Sequence, residues 1–150
     1  MRRSYLIFVL LPVLTFWFAM PARAQVTIFH ADGEVAIRGY DTVAYFARGV
    51  PVKGKPDIAV MWKGVIWYFS DHTNRDRFES DPWAFAPQYG GYCAYGVSLG
   101  YRDGTEPDLW HIRDGKLYLV RSATVQVAWK MDMAGHIARA DANWPGILRR

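Results

Sequence analysis

The chain has 150 residues, of which 51 % are hydrophobic, 16 % are aromatic and one is a cysteine. It carries 18 Lys and Arg residues against 14 Asp and Glu residues, but no basic run is longer than two residues, so neither a nucleic-acid-binding surface nor a basic membrane-binding patch is predicted. One cysteine excludes a disulfide bond within the chain.

Residues 1–24 are typical of a secretory signal peptide. Arg2 and Arg3 are followed by an apolar run of 16 residues and then by the small residues of an A-x-A cleavage site that ends at Ala24. The alternative, an uncleaved membrane anchor, needs about 20 apolar residues. Cleavage leaves residues 25–150 and, by removing three arginines, lowers the formal net charge from +4 to +1. We therefore expect an exported protein, periplasmic or secreted, with one domain and no membrane association after cleavage.

The first half of the mature chain predicts two hairpins separated by a short helix. Two short strands meet at a turn at residues 32–33. Asp41 is placed to cap a helix over the following residues, and Gly49 is placed to end it. The stretch IAVMWKGVIWYFS predicts the second hairpin, with its turn at residues 63–64.

A second helix and a glycine-rich segment follow. The helix is predicted to begin at Asp71 or Thr73 and to stop at Pro82. The segment YGGYCAYGVSLG, residues 89–100, contains Cys93 and is expected to hold one buried helical turn.

The last part of the chain predicts a hairpin and a helix. The stretch LWHIRDGKLYLV alternates apolar and polar residues around a turn at residues 114–115. The tail predicts a helix that is interrupted near Gly135 and stopped by Pro145. Strands mixed with short helices, without βαβ alternation, indicate an α+β fold: a small antiparallel sheet packed with short helices, followed by a C-terminal hairpin and helix.

Three blocks of this sequence resemble the YHS-domain family: GYDTVAYF, WYFSDHTNRDRFESDPWAFAPQYGGYCAYGVS and DGKLYLV with the helix after it. The ending ADANWP is similar to exported bacterial members of that family. The resemblance covers nearly all of residues 25–150 and implies a compact α+β unit, a single YHS-like domain. It also implies an association with heavy metals, copper above all, through cysteines in DPVCGM and YFCSxxC motifs, because thiolates bind soft metals.

The chain departs from the family at the motif positions. Ala44 replaces the cysteine and Phe46 the methionine of the first motif, and Ser70 and Asn74 replace the cysteines of the second. None of these replacements is a good soft-metal ligand. The metal role is not carried over by these positions.

Cys93 has three interpretations: a buried small apolar residue, a ligand for a soft metal, or a redox thiol. His72, near the lost cysteine motif, is the second candidate ligand, because neutral imidazole binds copper and zinc. Met61, Met131 and Met133 are the remaining soft donors. On a helix the last two point about 200° apart, so they do not face one ion.

The aromatic middle of the chain offers a different kind of site. Asp41, Tyr45 and Tyr92 are candidate contacts for a small molecule, and the alternative is a core in which the phenols satisfy one another and the backbone. The segment GVSLG, residues 96–100, has the spacing G-x-S-x-G, but it lies in the expected buried helical turn and not at the strand-to-helix turn that exposes a nucleophilic serine. The carboxylates are dispersed, so an enzyme is less expected than a binding module.

These patterns leave three functions open. The first is an exported binding or accessory module with a weak or transient site for Cu(I) or another soft metal at Cys93. The second is a metal-free module whose aromatic pocket binds a small molecule or another exported protein. The third, a thiol redox role, lacks a second cysteine to resolve an intermediate.

Overall fold

The computed structural model describes residues 28–149, so the predicted signal peptide and its cleavage site at Ala24 lie outside the described residues. The strands in this part of the chain are β1 (Ala31–Asp32), β2 (Val35–Ala36), β3 (Lys55–Trp62), β4 (Val65–Phe69), β5 (Trp110–Arg113) and β6 (Lys116–Leu119). The helices are α1 (Thr42–Arg48), α2 (His72–Ser80), α3 (Pro82–Phe85), α4 (Ala94–Ser98), α5 (Ala123–Met131) and α6 (Met133–Asn143).

The predicted α+β class is confirmed, and the main sheet is mixed. Its strand order is β1-β2-β4-β3, with antiparallel pairs at β1–β2 and β3–β4. Strand β2 runs parallel to β4 through the pair Val35 and Ile66. Strands β5 and β6 form a separate antiparallel hairpin.

Both long hairpins turn where the sequence predicts. Lys63 and Gly64 have φ values of 52° and 81°, and Asp114 and Gly115 have values of 52° and 71°. Two successive positive φ angles match the twist of a two-residue hairpin, and glycine at the second position adopts them without strain. The turn chemistry therefore fixes the register of each hairpin.

Side-chain caps fix where the first three helices begin. Asp41 caps α1, which ends at Gly49 in the left-handed conformation (φ 67°), as predicted. Asp71 caps α2, which ends before Pro82. Pro82 then occupies the first turn of α3, where its missing N–H costs nothing, and Asp81 caps that helix.

The predicted break in the C-terminal helix lies three residues earlier than expected. Asp132, with φ −147°, ends α5, and its side chain accepts a hydrogen bond from the Gly135 N–H (2.9 Å). Gly135 therefore lies in the first turn of α6. The interruption is caused by a new helix cap and not by the flexibility of glycine.

Two clusters of buried side chains form the interior. The first packs the mixed sheet against α1 and α2 around Trp67, Phe69 and Phe78. The second lies among β6, α4, α5 and α6 and includes Cys93 and Trp129. No helix within residues 28–149 is long and apolar enough to cross a membrane.

The turn at residues 88–91 contacts the first residues of the described chain, residues 28–30, through its backbone. The His30 N–H donates to the Gly90 carbonyl oxygen (2.8 Å). Gly90 has φ +62°, and a Cβ atom there would lie 1.8 Å from the Ile28 carbonyl oxygen. This approach of two backbones is possible only because residue 90 has no side chain.

Candidate functional site

Cys93 lies immediately before α4 with only 1 % of its surface exposed. Its N–H donates to the Asp103 carbonyl oxygen (2.9 Å), and its side chain packs in the second cluster. Burial raises the pKa of the Cys93 thiol, which keeps it protonated and less nucleophilic. This environment is that of a small apolar core residue.

The other predicted soft-metal donors do not surround Cys93. His72 is exposed at the start of α2, which packs against the first cluster, whereas Met133 packs against the second cluster with Cys93. Met61 and Met131 are 64 % and 84 % exposed. The described part of the chain holds no group of three or more His, Cys, Asp or Glu residues placed to bind a metal ion. The predicted donors are thus dispersed in this structure, and Cu(I) binding at Cys93, which requires loss of the thiol proton, stays a prediction.

Asp41 lies at the centre of a buried hydrogen-bond network. One carboxylate oxygen accepts from the N–H groups of Val43 (2.9 Å) and Ala44 (3.2 Å). The other accepts from the Ser70 N–H (2.8 Å), the Ser70 hydroxyl (2.6 Å) and the Asn74 side-chain amide (2.7 Å). With no exposed surface and five donors, this carboxylate joins α1 to the end of β4 and to α2. Ala44, Ser70 and Asn74, which the predicted resemblance aligns with cysteines, therefore meet around Asp41.

Tyr45 is also a structural residue in this fold. Its side chain is 1 % exposed, and its hydroxyl donates to the Pro107 carbonyl oxygen (2.9 Å). The ring packs edge-on against Trp110, with 5.4 Å between centroids. Burial raises the pKa of the Tyr45 phenol, which stays neutral. Through these two contacts, Tyr45 links α1 to the loop before β5 and to the first residue of β5.

Tyr92 is the one of the three predicted ligand contacts that lines a cavity. This cavity, called here the Tyr92 cavity, has a volume of about 550 Å³. Its side chains come from the start of the described residues, the turn before α4, the segment after α4 and the C-terminal turn, and they include His30, Tyr92, Tyr101, Arg102, Asp103 and Ile147.

The charges in the Tyr92 cavity are unbalanced. Asp103 forms an ion pair with Arg121 and accepts a hydrogen bond from the Gly104 N–H (2.9 Å). The Arg102 guanidinium lies 5.8 Å from the Tyr92 ring centroid, and no carboxylate of the described residues pairs with it. The cavity therefore presents one unpaired cation beside an aromatic ring.

Sequence reasoning missed most of this cavity. Tyr101 and Arg102 lie in a segment that the sequence indicates only as a loop, and His30 is far from them in the chain. The local signal was the pair Tyr101-Arg102 between two glycines, since an exposed aromatic–arginine pair on a short loop is suited to ligand contact.

Comparison with known proteins finds no family model that matches the chain, no similar curated protein and no similar solved structure. The resemblance to the YHS-domain family therefore stays a prediction from the quoted residues. What the fold and the cavity define is an α+β protein with a cationic, aromatic recess.

Proposed function

We propose that the protein is an exported binding module whose Tyr92 cavity holds a small anion with a planar apolar group, such as an aromatic carboxylate. The observation that carries this proposal is the unpaired Arg102 in a cavity lined by two tyrosines. Residues 1–24, with their signal-peptide pattern, support export.

The chemistry of the lining matches such a ligand. A guanidinium donates two parallel hydrogen bonds to a carboxylate, which fixes the ligand's orientation as well as its charge. Tyr92 and Tyr101 offer aromatic faces for a planar group, and the buried Ile147 offers an apolar contact. Arg102 therefore complements the ligand's carboxylate, and the two tyrosines and Ile147 complement its planar apolar part.

The size of the recess favours a small molecule over a partner protein. Ligand sites commonly occupy about 300–1,000 Å³, and the Tyr92 cavity of about 550 Å³ falls within that range. Its lining contains no activated nucleophile, and the neighbouring Cys93 is buried with a raised thiol pKa. Binding without catalysis is therefore the function that we propose.

The test is titration of the purified protein with benzoate, followed by calorimetry, with benzamide as the neutral probe of the same shape. We expect benzoate to bind and benzamide to bind much more weakly. Arg102→Gln should weaken benzoate binding by about 10- to 100-fold, as expected for loss of a hydrogen-bonded charge. The matched control is Arg113→Gln, which removes an equal charge from strand β5, outside the cavity.

Two results would overturn the proposal. One is equal affinity for benzoate and benzamide, which would mean that Arg102 does not select charge. The other is an equal loss of affinity in Arg102→Gln and Arg113→Gln, which would indicate attraction by net charge alone.

A further inference from the structure

A second recess lies close to the Tyr92 cavity. It is a groove of about 320 Å³ whose side chains include Phe29, Trp83, Gln88, Tyr89, Asp141 and Trp144. We call it the Trp83–Trp144 groove. Tyr92 lines the first recess and Trp144 lines the groove, and the centroids of their rings lie 6.2 Å apart.

Aromatic rings form both walls of this groove. Phe29 and Trp83 are paired on one side, and Tyr89 and Trp144 on the other, with 6.1 Å between centroids in each pair. Trp83 is 59 % exposed, whereas Phe29 and Tyr89 are buried. The part of the Trp83 ring that Lys63, Phe29 and Trp62 do not cover is therefore open to a ligand.

The groove carries a single negative charge. Asp141 is its only charged lining residue, and one of its oxygens accepts a hydrogen bond from the Tyr89 hydroxyl (2.8 Å). No Lys, Arg or His of the described residues forms an ion pair with Asp141. Burial raises the pKa of the Tyr89 phenol, and the hydrogen bond and charge of Asp141 add to that shift.

The Trp83 ring already has a cation near it in this structure. The Lys63 ammonium, which is not part of the groove lining, lies 5.8 Å from the Trp83 ring centroid. Tryptophan is the aromatic side chain that attracts cations most strongly. Aromatic rings around the cation are the arrangement that recognises a quaternary ammonium group, and here the Asp141 carboxylate adds an opposite charge to the lining.

From these contacts we propose that the Trp83–Trp144 groove binds a free small organic cation of the quaternary ammonium class. Asp141 supplies the opposite charge, and the aromatic walls replace the water that such a weakly hydrated cation gives up. The volume suits a small molecule and is too small for a helix or a strand of another protein. The site is separate from Arg102 and does not depend on the anion site.

The test uses choline as the probe and 3,3-dimethyl-1-butanol, its uncharged analogue, as the control, with binding measured by calorimetry and tryptophan fluorescence on the purified protein. We expect choline alone to bind. Trp83→Leu keeps an apolar side chain at an exposed position and should weaken binding by about 3- to 30-fold. Asp141→Asn keeps an oxygen for the Tyr89 hydroxyl and should weaken it by about fivefold.

Asp114→Asn is the matched charge control, since Asp114 lies in the β5–β6 turn and asparagine tolerates its positive φ. It should leave choline affinity unchanged, and Arg102→Gln should leave it unchanged as well. The proposal is overturned if the uncharged analogue binds as tightly as choline, or if Asp114→Asn weakens choline as much as Asp141→Asn does. Absence of choline binding to the unsubstituted protein also overturns it.

Discussion

Replacing Asp41 by asparagine should destabilise the protein more than any other Asp→Asn or Glu→Gln substitution in the described residues. The substitution keeps the size and shape of the side chain. It replaces one acceptor oxygen of a fully buried carboxylate by an NH2 group that can only donate.

The structure sets the size of the effect. Asparagine caps a helix about as well as aspartate, so its oxygen can keep the bonds from Val43 and Ala44. The NH2 group then faces the Ser70 N–H and the Asn74 side-chain amide, and these two bonds to a charged acceptor are lost, whereas the Ser70 hydroxyl can rotate to accept from the new NH2 group. At about 1.5–3 kcal/mol for each bond, with incomplete additivity, we expect a loss of about 3–5 kcal/mol in the free energy of unfolding.

The assay is urea unfolding followed by tryptophan fluorescence, with Asp71→Asn as the control. Asp71 caps α2 in the same way, but its second oxygen pairs with Arg48 at the surface (2.9 Å). An exposed ion pair contributes about 0–1 kcal/mol, so the control should lose less than about 1 kcal/mol. Losses of similar size in the two variants would refute our account of the Asp41 network.

Three further predictions concern the other buried groups. Cys93→Ser should cost about 1–3 kcal/mol, and the native thiol should react with a thiol reagent only after unfolding; fast labelling that Cu(I) blocks would instead support the soft-metal hypothesis. Tyr45→Phe should cost about 1–2 kcal/mol in urea unfolding, because the buried Pro107 carbonyl loses its donor; no loss would refute this role. Burial lowers the pKa of His111 and His136 below 6.5, so unfolded chains bind more protons and stability should fall as pH drops below about 6.5. Unfolding measured between pH 7 and 5 should show a shallower slope when both histidines are replaced by glutamine; an unchanged slope would contradict this assignment.

The parts of the fold that the sequence predicts are those determined by interactions between neighbouring residues. The caps at Asp41 and Asp71 and the two hairpin turns follow from side chains that act within about four positions of themselves. The parallel pairing of β2 with β4 joins residues 35 and 66, and no local pattern encodes it. For the same reason, the position of the helix break at Asp132 became clear only from the cap that it makes for α6.

The candidate site was harder to predict because its parts are distant in sequence. The Tyr92 cavity combines residues 30, 92, 102 and 147, which meet only after both ends of the described chain have packed. Of the three predicted ligand contacts, Tyr92 lines this cavity, while the other two are buried in structural hydrogen bonds. Aromatic and acidic residue types suggest ligand contact and core packing equally well until burial separates the two.

The close backbone contact at Gly90 has a consequence for how sequences of this fold can diverge. Any side chain at this position would push Ile28 away from residue 90. Residues 28–30 line both recesses, so this displacement would change both of them. Cys93, by contrast, fills a small apolar space that alanine, which is smaller, can also occupy. Among the residues of YGGYCAYG, we therefore expect Gly90 to be invariant in chains that keep this architecture, whereas position 93 should vary.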